Sequence, residues 1–348
     1  MTSARRFTIG PEWTLVAHSA DTVELRTGVW NSQTLTLDDD SRQGHLWPVL
    51  KGLRDGRRPG EIAGAVGVPV REVEALVDQL MGLGVIDDQA RSVLDVFLGA
   101  AGNGRADVPP PTRLVFLGTN PVHDRVVVDL REHLDCPIET VAGDAPLASA
   151  LAALTPQVFT DGLALQTVRE QFADLAGAFV VCATEQNNPL WFTTVDDLAR
   201  AVGFTWLHAT IDGPFVYVGP TVVPSRTASY RTFEKRVAMN VRENASYLRY
   251  KEALAERQVL GATTALFEPL VGLLAGHVGL EVTNWFATGS NFTVNKVLGI
   301  YLPTMEIAYH EILPLPGESP LGPLQNRDST ALYFDIREWL VDPRTTQS

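Results

Sequence analysis

The stretch Gly99–Thr112, "GAAGNGRADVPPPT", constrains the chain more than any other. Glycine, alanine and three consecutive prolines offer little to a packed core and remove backbone donors, so the stretch reads as a linker. The patterns on its two sides differ, and 348 residues is long for one core. The expected organisation is residues 1–98 as one domain, 99–112 as linker, 113–325 as a second domain and 326–348 as a tail.

Before the linker, "WTLVAHS", "TVELRTG" and "QTLTLDD" read as short strands separated by polar turns. Three helical segments follow. Leu46, Leu50 and Leu53 recur at helical spacing in the first, and Pro59 suits the first turn of the second. In the third, Val73, Leu76, Val77, Leu80 and Met81 share one side, and Gly82 and Gly84 permit a stop. Strands followed by three short helices predict a small α+β winged-helix module.

After the linker the pattern alternates. "RLVFLGTN" and "GAFVVCAT" are short apolar strands, "HDRVVVDLREHL" is helical, and "TVDDLARAVGFTWLHATIDGPFVYVGPTVV" reads helix, strand, turn, strand. This predicts an α/β sheet with crossover helices. Residues 229–258 are charged and helical, 262–281 form an apolar helix interrupted by Gly272 and Gly276, and two late strands flank Pro303.

A net charge of −13 argues against broad binding to nucleic acid. No apolar run reaches the roughly 18 residues needed to span a bilayer. "MTSARRFTIGPEW" carries two arginines without an apolar signal core, so the expected location is the cytoplasm, away from membranes. Cys136 and Cys182 sit in apolar surroundings and read as buried, inert thiols.

The first βα turn after the linker is where such folds build a nucleotide site. "FLGTNPVHDR" offers Gly118 alone, Pro121 removes a donor, and no Gly-Lys-Ser or Gly-Lys-Thr follows, so ATP binding is not expected. None of the seven histidines pairs with another at metal-ligand spacing, and each reads as structural. "EQNNPLW", Glu185–Trp191, is a polar loop after a buried strand, where α/β folds bind ligands. The third N-terminal helix carries Arg71 against Glu72, Glu74 and Asp78, the wrong sign for DNA. A better use is strand addition: if "QTLTL" is an edge, an extended peptide can pair with it and lay side chains into a groove against the third helix. Thr34, Leu35, Thr36, Leu37, Val73, Val77 and Leu80 are the candidate peptide-binding residues.

"VGPTVVPSRTASYRTFEKRV", Val218–Val237, frames a polar loop between an apolar strand and a charged helix, yet holds no Cys, His or carboxylate before Glu234. With the N-terminal module and the Pro-rich linker, "GFTWLHATIDGPFVYVGPTVVPSRTASYRTFEKR" resembles the E1-like (ThiF-like) partner proteins of azole-forming peptide biosynthesis, thiopeptide-type systems included. Residues 12–325 carry the resemblance. In that family a Cys-x-x-Cys pair commonly follows the apolar strand; here the positions are Ser229 and Thr232. The place of a second pair, in "HEILPLPGESPLGP", has Ser319 and Gly322. Hydroxyls are poor zinc ligands, so zinc is not expected.

The resemblance implies an N-terminal recognition element for a precursor's leader peptide, a Rossmann-related E1-like sheet, a YcaO-type cyclodehydratase as partner, and a homodimer. The expected function is that of an accessory protein with no catalytic residue of its own. The alternatives are a diverged ATP-dependent adenylating enzyme and a winged-helix regulator.

Overall fold

The computed structural model describes residues 7–30, 33–87, 94–97, 111–261 and 267–315. Most of the expected linker, the tail, Ser319 and Gly322 lie outside these residues. The chain forms two compact units, Met1–Asn103 and Gly104–Ser348.

In the first unit, β1 (Thr8–Ile9) lies antiparallel to β5 (Ile86–Asp87), while β2 (Thr14–Ala17), β3 (Thr22–Thr27) and β4 (Gln33–Asp38) form an antiparallel sheet in that order. Three helices follow β4: α1 (Leu46–Arg54), α2 (Pro59–Val66) and α3 (Val70–Gly82). The second starts at Pro59, and the Glu61 carboxylate accepts a hydrogen bond from the Arg58 N–H (3.1 Å), one half of a capping box. Alternation in β3 turns Val23 and Leu25 inward, where they meet Leu50, Leu53 and Ile62. Of the α3 side predicted to be apolar, Val73, Val77 and Leu80 are fully buried and Leu76 is half-buried, but Met81 is exposed at the helix end.

The second unit is built on a seven-stranded mixed sheet. Its elements run β6 (Leu114–Leu117), α4 (Pro121–Leu130), β7 (Ile138–Val141), α5 (Pro146–Ala153), α6 (Gly162–Gln171), β8 (Phe179–Thr184), α7 (Pro189–Val202), β9 (Thr205–Asp212) and β10 (Phe215–Val222). Then come α8 (Tyr230–Asn240), α9 (Asn244–Ala255), α10 (Glu268–Thr288), β11 (Lys296–Tyr301) and β12 (Glu306–Glu311). The spatial order is β12-β11-β10-β9-β8-β6-β7. Strands β7, β6, β8 and β9 are parallel, and β9 to β12 continue as an antiparallel ladder.

Two apolar layers sandwich this sheet. Phe116, Val181, Leu207 and Leu298 pack on one face with α4 and α10; Val115, Val180, Cys182 and Trp206 pack on the other with α6 and α7. Strands buried on both faces read as continuous apolar runs, which is why β8 was legible. Helix α10 continues through Gly272 and Gly276 and extends to Thr288, seven residues beyond the expected end, while its expected first residues, 262–266, lie outside those described. No helix among the described residues is long and apolar enough to cross a membrane.

Candidate functional site: an outer strand and two closed turns

In the first unit, β4 pairs with β3 from Thr22↔Asp38 to Thr27↔Gln33, and among the described residues it has no strand on its other side. It is the longest-exposed edge of that sheet: Thr34 and Thr36 are exposed, Leu35 is half-buried, and Leu37 is buried in the core. Val73, Val77 and Leu80 are at most 1% exposed. Their side chains are therefore core, sharing one apolar cluster with Leu37, and they offer no surface to a docked peptide. Of the seven candidates, Thr34, Leu35 and Thr36 keep accessible side chains, and the other four are buried.

In the second unit, Gly118 follows β6 with φ of +93°, a conformation that favours glycine. Asn120 caps α4: its side-chain oxygen accepts from the His123 N–H (2.9 Å), and its Nδ2 donates to the Ala183 carbonyl (2.9 Å). The fully buried His123 then bridges two strands. Its Nδ1 lies 2.7 Å from the Gly118 carbonyl, and its Nε2 accepts from the Ala183 N–H at 3.0 Å. Accepting at Nε2 requires the proton on Nδ1, so the imidazole is neutral. Burial lowers its pKa, against the opposing influences of the Gly118 carbonyl and Asp124. A nucleotide turn needs free N–H groups aimed outward. Here β6 and β8 diverge in connection, the usual ligand crevice of such sheets, and an imidazole occupies the backbone groups at that point. Between them His123 and Asn120 engage two N–H groups and two carbonyls there.

The Ser229–Thr232 turn is closed in a comparable way. Ser229 caps α8, its Oγ accepting from the Thr232 N–H at 3.0 Å, and the two hydroxyls are hydrogen-bonded to each other at 3.0 Å. Asn295 Oδ1 accepts from the Ala228 N–H (2.9 Å), and Thr227 Oγ1 accepts from the Val223 N–H (2.9 Å). Neutral hydroxyls engaged in a helix cap do not fit a zinc ion, and the described residues contain no cluster of three potential metal ligands.

The Glu185–Trp191 loop is also tied down. Asn188 caps α7 by accepting from the Trp191 N–H (3.1 Å), Asn187 Nδ2 donates to Asp212 (3.2 Å), and the Trp191 indole donates to Cys182 Sγ (3.1 Å). Burial pushes the Cys182 thiol up to about 12, which leaves it inert.

Two titratable groups lie deep in this unit. His208 Nδ1 donates to the Gly219 carbonyl (2.6 Å), its Nε2 has no hydrogen-bond partner, and Phe192 meets the ring edge-on at 4.3 Å. Burial lowers its pKa to about 4. Glu281 of α10 accepts from the Thr293 N–H (3.1 Å) and hydroxyl (2.8 Å), yet burial still raises its pKa to about 7. Sequence reading missed both this carboxyl and the bridging role of His123. The signal available for His123 was Asn-Pro-x-His, a capping residue just past a strand end and three positions before a histidine in the first helical turn.

No family model matches the sequence, and no curated protein sequence does. Solved structures share the fold. The heterocyclase TruD superposes with a TM-score of 0.60 at 15% identity, over 91% of this chain and 43% of TruD. A heterocyclase in complex with substrate and cofactor gives 0.58 at 16% identity, over 88% of this chain and 37% of that one. The E. coli protein MccB, bound to AMPCPP and MccA, gives 0.51 at 13% identity, over 91% of this chain and 100% of MccB. The fold is heterocyclase-like. The chain spans less than half the length of the two heterocyclases it resembles.

Proposed function

We propose that this chain is a non-catalytic accessory protein of ribosomal-peptide modification. It binds the leader region of a precursor peptide by strand addition along β4 and presents the core of that peptide to a separate YcaO-type cyclodehydratase. The observation that carries this reading is the one-sided pairing of β4, which leaves a row of N–H and C=O groups for a guest strand. The helix-and-strand content of the unit fits a winged-helix recognition element, and the heterocyclase-like fold supports the setting. Tethering the leader raises the effective concentration of the core at the partner enzyme, so no catalytic residue is needed in this chain.

Guest side chains turned toward the unit meet Leu35 and the half-buried Leu76, while Leu37, Val73, Val77 and Leu80 form the apolar floor below. This role calls for neither ATP nor zinc; His123 takes the Ala183 N–H beside the first turn, and the Ser229 and Thr232 hydroxyls are engaged in a helix cap, which supports that reading. The adenylating alternative makes the opposite claim, saturable binding of ATP with magnesium in a calorimetric titration.

The direct test is a search of the neighbouring genes for a short precursor, followed by fluorescence polarisation with its labelled leader. Leu35→Asp is expected to weaken binding by about tenfold or more, roughly 1.4 kcal/mol, while the thermal unfolding transition persists. Unchanged affinity removes β4 from the proposal.

A further inference from the structure

The outer face of β10, β11 and β12 holds a cleft of about 330 Å³ lined by Phe215, Tyr217, Tyr301, Glu306, Ala308 and His310. The register explains it. Phe215 pairs with Tyr301, which pairs with Glu306, so two rings and a carboxylate form one row across three strands. The next row is Tyr217, Gly299 and Ala308. Glycine at its centre makes the dent, since a Cβ there would stand 3.2 Å from His310 Nε2. Phe215 lies 5.0 Å from Tyr301 and 5.7 Å from Tyr217, ring centre to ring centre. The opposite face of the same strands, with Val216, Val218, Leu298 and Ile300, is core.

The strand beside this cleft is also open. Among the described residues β12 pairs only with β11 and is at least partly exposed on both faces, with Ile307 52% and Tyr309 47% exposed. We propose that this edge and cleft form a second peptide-binding surface, whose ligand is an extended basic segment. Backbone groups of the segment extend the sheet along β12, and an arginine or lysine side chain on the cleft face reaches inward over β12, its charge between Glu306 and the Tyr301 ring on β11. Aromatic faces attract cations, and Glu306 has no ion pair among the described residues. Glu311, at the far end of the strand, is only loosely paired with Lys296, at 3.7 Å. Charge selects against a second copy: two β12 strands paired antiparallel about their centre would set Glu306 opposite the other copy's Glu311. This proposal does not depend on leader binding at β4.

The test uses the full chain and a fluorescein-labelled, end-capped hexapeptide of alternating arginine and valine, read by polarisation at physiological salt. The expected results are saturable binding, about fivefold weaker binding to Glu306→Gln and to Tyr301→Leu, and about tenfold weaker binding of the same peptide N-methylated at alternate residues. Leu35→Asp should bind it unchanged. Equal affinity for wild type and Glu306→Gln would mean that the chain's overall negative charge is responsible, and overturns the proposal. So does equal binding of a glutamate–valine hexapeptide, or a loss confined to Leu35→Asp, which would move the peptide to β4.

Discussion

The turn after β6 and the outer side of β4 pose the same problem, backbone polar groups at the end or edge of a sheet, and the chain resolves them oppositely. At the turn, His123 takes the Gly118 carbonyl and the Ala183 N–H, and Asn120 takes the neighbouring groups. At β4 one side is satisfied by β3 and the other has no strand among the described residues. Buried backbone groups must find partners inside the protein, whereas groups at a surface can wait for water or a guest. The difference teaches where to look for function in this chain: at the groups left open, not at the first turn after β6, where α/β sheets in general receive phosphates.

The largest expected effect tests what lies beneath the open edge. Val77→Asp places a carboxylate in a position 1% exposed and should cost about 4 kcal/mol or more, seen as loss of the first unit's unfolding transition by circular dichroism. A folded Val77→Asp protein with weakened leader binding would instead restore Val77 to the groove.

The closed unit should show a concealed pH dependence. His208 is neutral when folded, and its pKa falls from 6.5 to about 4, so stability from this group is full above 6.5 and is lost as pH drops toward 4. His123 acts in the same direction. Glu281 acts in the other: its pKa rises from 4.5 to about 7, so its stability is present below 4.5 and is lost as pH climbs toward 7. His208 and Glu281 are each worth about 3 kcal/mol over their windows and largely cancel between pH 4.5 and 6.5. Glu281→Gln should remove one side, giving a denaturation midpoint that rises with pH across that range more steeply than wild type. Parallel profiles would show that Glu281 does not hold its proton in the folded chain.

Next in size is His123→Ala, which strands a buried carbonyl and a buried N–H and should cost about 2 kcal/mol or more in chemical denaturation. The comparison breaks if the variant keeps its stability and gains saturable ATP binding, since the imidazole would then be a removable plug. The smallest effect belongs to Ser229→Ala, about 1 kcal/mol for a lost helix cap. Prolonged dialysis against a chelator should leave the wild-type melting temperature in place; a fall would reveal a metal-dependent frame.

Most of the architecture was readable because its strands are either continuous apolar runs, as in "FVVCAT", or alternate strictly, as in "TVELRT". The segments missed had weaker signals. Strand β7, "IETV", is four residues at a sheet edge and half polar, and β1 and β5 are two residues each, too short for any period. Helix α10 was cut short because "VTNWFAT" mixes polar residues into its last turns; there Asn284 and Glu281 are buried by neighbours that sequence spacing does not reveal. At the candidate edge, β4 was legible from its alternation, but the orientation of α3 was not: a stripe of Val73, Val77 and Leu80 reads the same whether it lines a groove or fills a core. The aromatic cleft was invisible because Phe215, Tyr301 and Glu306 meet only through the pairing register.

The mixed sheet also fixes an order of events during chain collapse. Strands β9 and β10 are joined by a two-residue turn, and β11 and β12 by a short one, so each hairpin can zip as soon as its own segment exists. Setting Leu114 beside Phe179 must instead wait for β7 and the helices on either side of it to be made and laid down. Within this sheet the antiparallel C-terminal strands therefore contain the quickest pieces, and the parallel strands the slowest closure.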